Sequence, residues 1–513
     1  MRRGLVALAS ACAVTLAFIP TSTSQAVMPP ERMMTSASEL TSMTPAELQA
    51  AIDSTWGEGL STTRKLEIFD TFWNAIDQTY AGFNGIEQVD WTALRNQYRP
   101  EVAAGVSRGR FAGIMNALAL QLQDTHAFAA DLTVNFRTPP APGIPLLWTG
   151  PWMSNTFGAC TTAMDDGSAL IYQVAPNHPL GLQPGDRVLG FDGHPWSELY
   201  PGLLQQGLPL YLNNINGGGV ARGSTAASIN HIWTASGPMN WHLYDTIDVV
   251  KHSTGSVVHL STAPLASLPN AGQCTEQLDI SGVSKPLWRQ TTPRNAVSWG
   301  IMPGTRIGYI YVWGWSGDAG TKFTQAIEEL TQNQQTDGLI VDFRYVEGGN
   351  LFLSYPGLGM LFDGPRATIR FDVRKYPDEH FTLKPGFDAQ PSYYVVDNDG
   401  DSRSYDKPIA VLTGPGAVSS GDDVALFMTY HPRVRTFGKP TNGGFGAPDA
   451  VSLDPDWVGL VNDYEGHRVN TPHSYLTHTG FPVDQAVWLT PDDVAAGHDT
   501  VVDAAVNWIN NGG

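Results

Sequence analysis

Apolar positions along the chain follow two different periods. Leu66, Phe69, Phe72, Trp73 and Ile76 recur at three- and four-residue spacing, as do Phe111, Ile114 and Leu118, which is the pattern of amphipathic helices. "TPAE" at 44–47 supplies an N-cap threonine, a first-turn proline and a capping-box glutamate. "AGFNG" at 81–85 breaks one helix from the next, and residues 43–132 read as a helical unit. The Pro-rich "RTPPAPGIP" (137–145) closes it. Beyond it "SALIYQVAPNHPLGLQPGDRVLGFDGHPW" (168–196) reads as strand, loop, turn, strand and tight turn. After residue 300 strands alternate with helices: strands at 306–312, 338–344 and 408–414, helices at 321–333 and 420–430. That order predicts loops at the C-terminal ends of strands, where α/β proteins build their sites.

Composition narrows the class. A chain of 513 residues, 42% apolar and 15% charged, is globular and long enough for two to four cores. Its net charge of −19 argues against nucleic acid or an anionic membrane surface as the main partner. Arg2 and Arg3 precede the apolar run "GLVALASACAVTLAFI" and the polar "PTSTSQA", the order of a secretory signal peptide cleaved near Ala26. The run is 16 residues long, where a membrane span needs roughly 20. Loss of residues 1–26 removes two positive charges and leaves −21. No second long apolar run follows, so a secreted product without a membrane span is expected. Residues 27–42 read as a linker. Cys12 goes with the leader, leaving Cys160 and Cys274 as candidates for a disulfide in an oxidising compartment. No close spacing of Cys or His suggests a metal site, and no cofactor is implied.

Three stretches carry candidate chemistry. In "VLTGPGAVSSGDDVALFM" (411–428) Ser419 lies between a strand and a helix. Its hydroxyl at the helix start, with the N–H of Ser420 beside it, would make a nucleophile and half an oxyanion hole. Asp422 and Asp423 fall in the first turn, where negative charge is favourable. Taken alone, Ser three residues before an acid is an ordinary N-cap, and on this stretch capping leads. "VDFRYVEGGN" (341–350) ends a strand in paired glycines, Gly348 and Gly349, able to bring bare amides close to a carbonyl. "LALQLQDTHAFAADL" (118–132) places Thr125 and His126 at a helix end, and His126 is a candidate general base. "GWSGD" (314–318) lacks the last glycine of an α/β-hydrolase elbow, and no His-Glu-x-x-His is present.

Together these stretches, with "FWNAIDQTYAGFNGIEQVDWTALRNQYRP", "GYIYV", "FGKPTNGGFG" and the tail from "GFPVDQAVWL", resemble the tail-specific and C-terminal-processing serine peptidases, in their tricorn-like branch. The resemblance runs from about residue 43 to the end, with gaps at 200–300. It implies a multidomain α/β fold: the helical domain (43–132), a PDZ-like β-rich domain (140–275) and a catalytic domain (290–513) of the ββα-spiral, crotonase- and ClpP-like kind. The segment "GLQPGDRVLGFDG" carries the PDZ likeness through Gly185, Asp186 and Gly193, and "PLLWTG" (145–150) is its candidate carboxylate loop. The resemblance implies a secreted serine endopeptidase acting through an acyl-enzyme on protein or peptide substrates. Ser419 would be the nucleophile, His126 the base, Thr125 its hydroxyl neighbour, and Ser420, Gly348 and Gly349 the oxyanion donors. Tricorn-like relatives assemble, so an oligomer stays open.

The chain departs from the family pattern in four places. Gly444 stands where the processing branch has its lysine base, with Lys439 five residues upstream. No acid precedes the late "YLTHTGFPVDQ", leaving Glu465, His478 and Asp484 as substitutes to orient His126. Ser420 replaces an acid associated with basic specificity, and Val346 stands where an Asn is common. A missing orienter lowers rate without abolishing chemistry. The alternative is therefore a weak or inactive member that binds peptides or apolar ligands.

Overall fold

The structure is a computed structural model describing residues 43–136, 142–150, 157–212, 223–268, 274, 278, 296–386, 393–397, 404–469, 471 and 474–513. The expected leader, its cleavage point near Ala26 and the linker at 27–42 lie outside the described residues.

Four helices come first: α1 (Pro45–Trp56), α2 (Thr62–Thr79), α3 (Trp91–Ala104) and α4 (Arg108–Leu120). Each begins at a side chain able to accept from the exposed first-turn amides. Thr44 and Glu47 form the capping box, and Ser61, Asp90 and Ser107 cap the other three; each such cap is worth about 1 kcal/mol. "AGFNG" forms a short 3-10 turn over Gly82–Gly85. β1 (Phe128–Asp131) follows α4 and leaves the helical unit to join a sheet built much later in the chain.

The β-rich part is an antiparallel sheet of β2 (Ala159–Ala163), β3 (Ala169–Val174), β4 (Arg187–Phe191), β5 (Thr246–Val250) and β6 (Val257–Ser261), in that spatial order. Helices α5 (Trp196–Gln205) and α6 (Ala226–Ser236) accompany it. Gly185 and Gly193 make its turns at φ 93° and 82°, angles that a side chain would strain. Its core is continuous with that of the helices, since Phe69, Trp91, Phe111, Trp148, Phe191 and Trp241 belong to one apolar cluster. Cys160 and Cys274 are joined by a disulfide.

The C-terminal half contains β7 (Val297–Ile301), β8 (Ile307–Val312), β9 (Gly338–Asp342), β10 (Ile369–Arg374), β11 (Leu383–Pro385), β12 (Ile409–Thr413), β13 (Val434–Gly438), β14 (Gly446–Asp454), β15 (Trp457–Arg468) and β16 (Gln485–Ala486). Its helices include α7 (Ala319–Glu328), α8 (Ser420–Met428) and α9 (Thr500–Asn510). The central sheet runs β7-β8-β9-β12-β13-β16, parallel from β8 onward. Its central strands β8, β9 and β12 are buried on both faces, as parallel strands between helices must be. Leu339, Val341, Ile409 and Val411 face α7 and α8, while Ile340, Ala410 and Leu412 face α9. The helix expected at 321–333 starts at Ala319 and ends in a π turn over Glu329–Asn333.

β15 ties the first and last parts together. One edge pairs with β14; the other pairs with β1 near its start and with β10 near its end. Between those two neighbours the Ala81 N–H donates to the Asn462 carbonyl. The Arg108 guanidinium grips Asp131 through two nitrogens at 2.6 and 2.9 Å, fastening β1 from the helical side.

Candidate active site

Ser419 stands where β12 turns into α8, at φ 59° and ψ −126°. Such angles are costly for a residue with a Cβ and collect at functional turns. A capping serine needs extended φ and ψ to aim its oxygen back at the helix amides. Ser419 has neither the angles nor the bond: its side chain makes no cap hydrogen bond. The capping role that the local pattern favours is thus not realised, and the partly exposed hydroxyl makes no hydrogen bond among the described residues.

The paired glycines come directly against this turn. A Cβ on Gly348 would lie 2.7 Å from the Ser419 Cβ and 3.2 Å from its Oγ, so only glycine fits. The Val418 N–H donates to the Val346 carbonyl at 3.0 Å, and the Ser420 hydroxyl donates to the Gly349 carbonyl at 2.6 Å. Ser420 thereby pins the helix start to the glycine turn, with its own amide beside those of the glycines. Among the described residues no hydrogen bond uses the N–H of Gly348, Gly349 or Ser420. Beneath the turn, Arg344 is fully buried between Asp342 and Asp499, which fixes the strand end from which the glycines project.

The acids of α8 do more than complement its first turn. Asp422 accepts from the Gly443 and Gly444 amides at 2.8 and 3.1 Å, holding that loop against the helix. Burial raises its carboxyl to about 7, against the pull of these donors and Thr441. Burial and the neighbouring Asp422 raise Asp423 well above the usual range.

The same loop brings in the histidine segment. A Cβ on Gly444 would meet the Thr125 methyl at 2.8 Å. The room that a longer side chain at 444 would need is therefore taken by the turn carrying Thr125 and His126. Lys439 is engaged elsewhere: its Nζ donates to the Ala163 carbonyl at 3.0 Å and meets Asp165 at 3.3 Å. His126 is 7% exposed. Burial pulls its pKa below the ordinary histidine value, partly countered by Asp124. Its Nδ1 has no hydrogen-bond partner, and none joins His126 to Ser419 among the described residues.

Of the three substitutes for an orienting acid, Asp484 is elsewhere, accepting from the N–H and hydroxyl of Thr436. Glu465 and His478 approach the rear of the histidine turn. Glu465 accepts from the Leu476 and Thr477 amides, and His478 contacts the Tyr80 hydroxyl and the Ser224 carbonyl. The acid closest to His126 is Asp124, whose Oδ1 lies 3.9 Å from Nδ1. Sequence reasoning passed over it, although an acid two residues before a candidate base was a readable signal in "QDTHAF".

In the candidate carboxylate loop at 145–150 three amides are engaged. Those of Leu146, Leu147 and Trp148 donate to Ile144 O, Pro209 O and Asn240 Oδ1.

Residues 306–492 match peptidase family S41. Among solved structures, mature CPAF is similar at 14% identity, over 88% of this chain and 98% of that one, with a TM-score of 0.59. The photosystem II D1 C-terminal processing protease matches at 17% identity over 83% and 94% of the two chains, TM-score 0.41. The tricorn protease matches at 14% over 88% and 37%, TM-score 0.41. No curated protein matches the chain. Residues 306–492 are thus a serine-type peptidase domain of the family S41 kind.

Proposed function

We propose that the chain is a secreted endopeptidase in which Ser419 attacks a peptide carbonyl and His126 accepts its proton. The carbonyl oxygen, charged in the tetrahedral intermediate, is held by the amides of Ser420 and of Gly348 and Gly349. His126 then protonates the departing amine, leaving an acyl-enzyme on Ser419. Water, deprotonated by the same imidazole, releases the acid product. Thr125 packs against Gly444 and keeps the histidine turn at the mouth of the site.

One observation carries this reading: the strained Ser419 turn presents an uncapped hydroxyl against Gly348, whose amide is unspent. Export is supported by the leader pattern and by the Cys160–Cys274 disulfide. The β-rich part is assigned as a PDZ-like module from its sheet and turn glycines, and its role is taken as delivering substrate to the site.

Labelling with a fluorophosphonate and mapping the adduct tests the proposal. Wild type and Ser420→Ala are expected to label at Ser419, and Ser419→Ala to be silent. Labelling lost in Ser420→Ala but kept in Ser419→Ala overturns the nucleophile. A folded wild type that neither labels nor cleaves an unstructured protein such as casein favours the binding-protein alternative.

A further inference from the structure

The histidine turn rests on a buried polar network that peptide hydrolysis, as derived above, does not use. Asp124 is fully buried. Its Oδ1 accepts from the His126 N–H at 2.8 Å and lies 3.9 Å from the ring Nδ1. Its Oδ2 accepts from the Tyr80 hydroxyl at 3.0 Å and from the Asn462 amide at 2.8 Å. Tyr80 ends α2, and its hydroxyl also meets His478 Nε2 at 3.0 Å. His478 belongs to the late loop and occupies the room beside Gly85, where a Cβ would fall 2.4 Å from its ring. Asn462 lies on β15, the strand that pairs with β1. Three parts of the chain thus converge on one carboxylate.

We infer that Asp124 is the positioning residue for His126: it ties down the main chain at the imidazole and sets a negative charge beside Nδ1, while Tyr80, Asn462 and His478 hold that carboxylate still. A buried carboxylate without donors is costly, and three donors are what this one has. The charge at 3.9 Å favours the imidazolium that forms when Ser419 gives up its proton. Asp124 touches no reacting atom, so its effect passes through His126. The other ionisable groups facing this turn are Tyr80, His478 and Glu465, with Asp422 beyond Gly444. The late loop contributes His478 where an acid was sought, and the acid comes from the helical unit instead.

This inference rests on His126 being the general base, and the two are separable by experiment. The rate of fluorophosphonate labelling of the full chain is followed against pH, with kcat and KM on casein-derived peptide. In Asp124→Asn, which keeps the shape and loses the charge, labelling is expected to slow at least tenfold. Its pH midpoint should fall, and kcat should drop with KM within about twofold. Tyr80→Phe should show the same changes, several-fold smaller. A folded Asp124→Asn with wild-type rate and midpoint overturns the inference. If Asp124→Asn fails to fold, Tyr80→Phe decides by the same criterion. His126→Ala labelled at the wild-type rate overturns the base assignment itself, whereas a silent His126→Ala beside an unchanged Asp124→Asn removes Asp124 alone.

Discussion

Replacing Gly348 by Ala tests the oxyanion geometry with a single methyl group. The position sits at φ 87°, and the new Cβ would lie 2.7 Å from the Ser419 Cβ and 3.0 Å from the Val418 carbonyl. Carbon atoms prefer about 3.5–4.0 Å, so the glycine turn and the serine turn must separate by roughly 1 Å. A displacement of that size at reacting groups costs about 10²-fold, and one lost oxyanion donor about 10²–10³-fold in kcat. The φ penalty itself is about 1–2 kcal/mol of stability. Gly304 isolates that penalty, because it has φ 71° with nothing within 4 Å of a Cβ. Steady-state cleavage of a fluorogenic peptide, with thermal melting of both variants, reads the two effects separately. Gly304→Ala should melt lower with kcat unchanged; Gly348→Ala should melt lower and lose at least 10²-fold in kcat, by the oxyanion estimate above. A folded Gly348→Ala with kcat within threefold of wild type, by the same yardstick, would refute the assignment of this turn to the oxyanion site.

Burial lowers the His126 pKa, so the imidazole is neutral and able to accept a proton at neutral pH. Activity should fall only on the acid side, with a midpoint below the ordinary histidine value of about 6.5; a pH–rate profile with its acid limb at or above that value contradicts this. Reducing the disulfide, or changing Cys160→Ser, opens a cross-link between residues 114 apart. By loop-closure entropy that costs up to about 4–5 kcal/mol, and an unchanged melting temperature under reductant would count against it. Arg344→Met strands Asp342 and Asp499 in the core. The expected loss is about 3–5 kcal/mol, visible as a lower urea midpoint; equal midpoints would show the carboxylates to be neutralised some other way.

Local backbone geometry was legible in the sequence. The strand–turn–helix around Ser419 and the paired glycines after β9 depend on residues within a few positions of each other, and apolar runs mark the flanking strands. The helical caps were readable for the same reason. Local patterning misled only where a local rule was overridden. Ser419 looks like a cap because of Asp422, yet Asp422 is committed to the Gly443 and Gly444 amides, and the serine backbone is turned out of capping geometry.

What the sequence hid is the part that joins distant segments. β15 reads "WVGLVNDYEGHR", and Asn462, Glu465 and His467 are all buried in it. Polar residues at core positions erase the alternation by which a strand is recognised. Yet this strand pairs with β1, two residues beyond His126, and its Asn462 side chain reaches Asp124. One of the polar side chains that made β15 unreadable, Asn462, is therefore the one that holds the turn of His126 against this strand. Asp124 escaped notice by the same logic: nothing near it in sequence shows that Tyr80 and Asn462, 44 and 338 residues away, supply its donors. An orienting acid was sought beside the late loop because the tricorn-like resemblance implies a glutamate there. The loop does close on the same network, but through His478, with the negative charge moved to the other side of the contact.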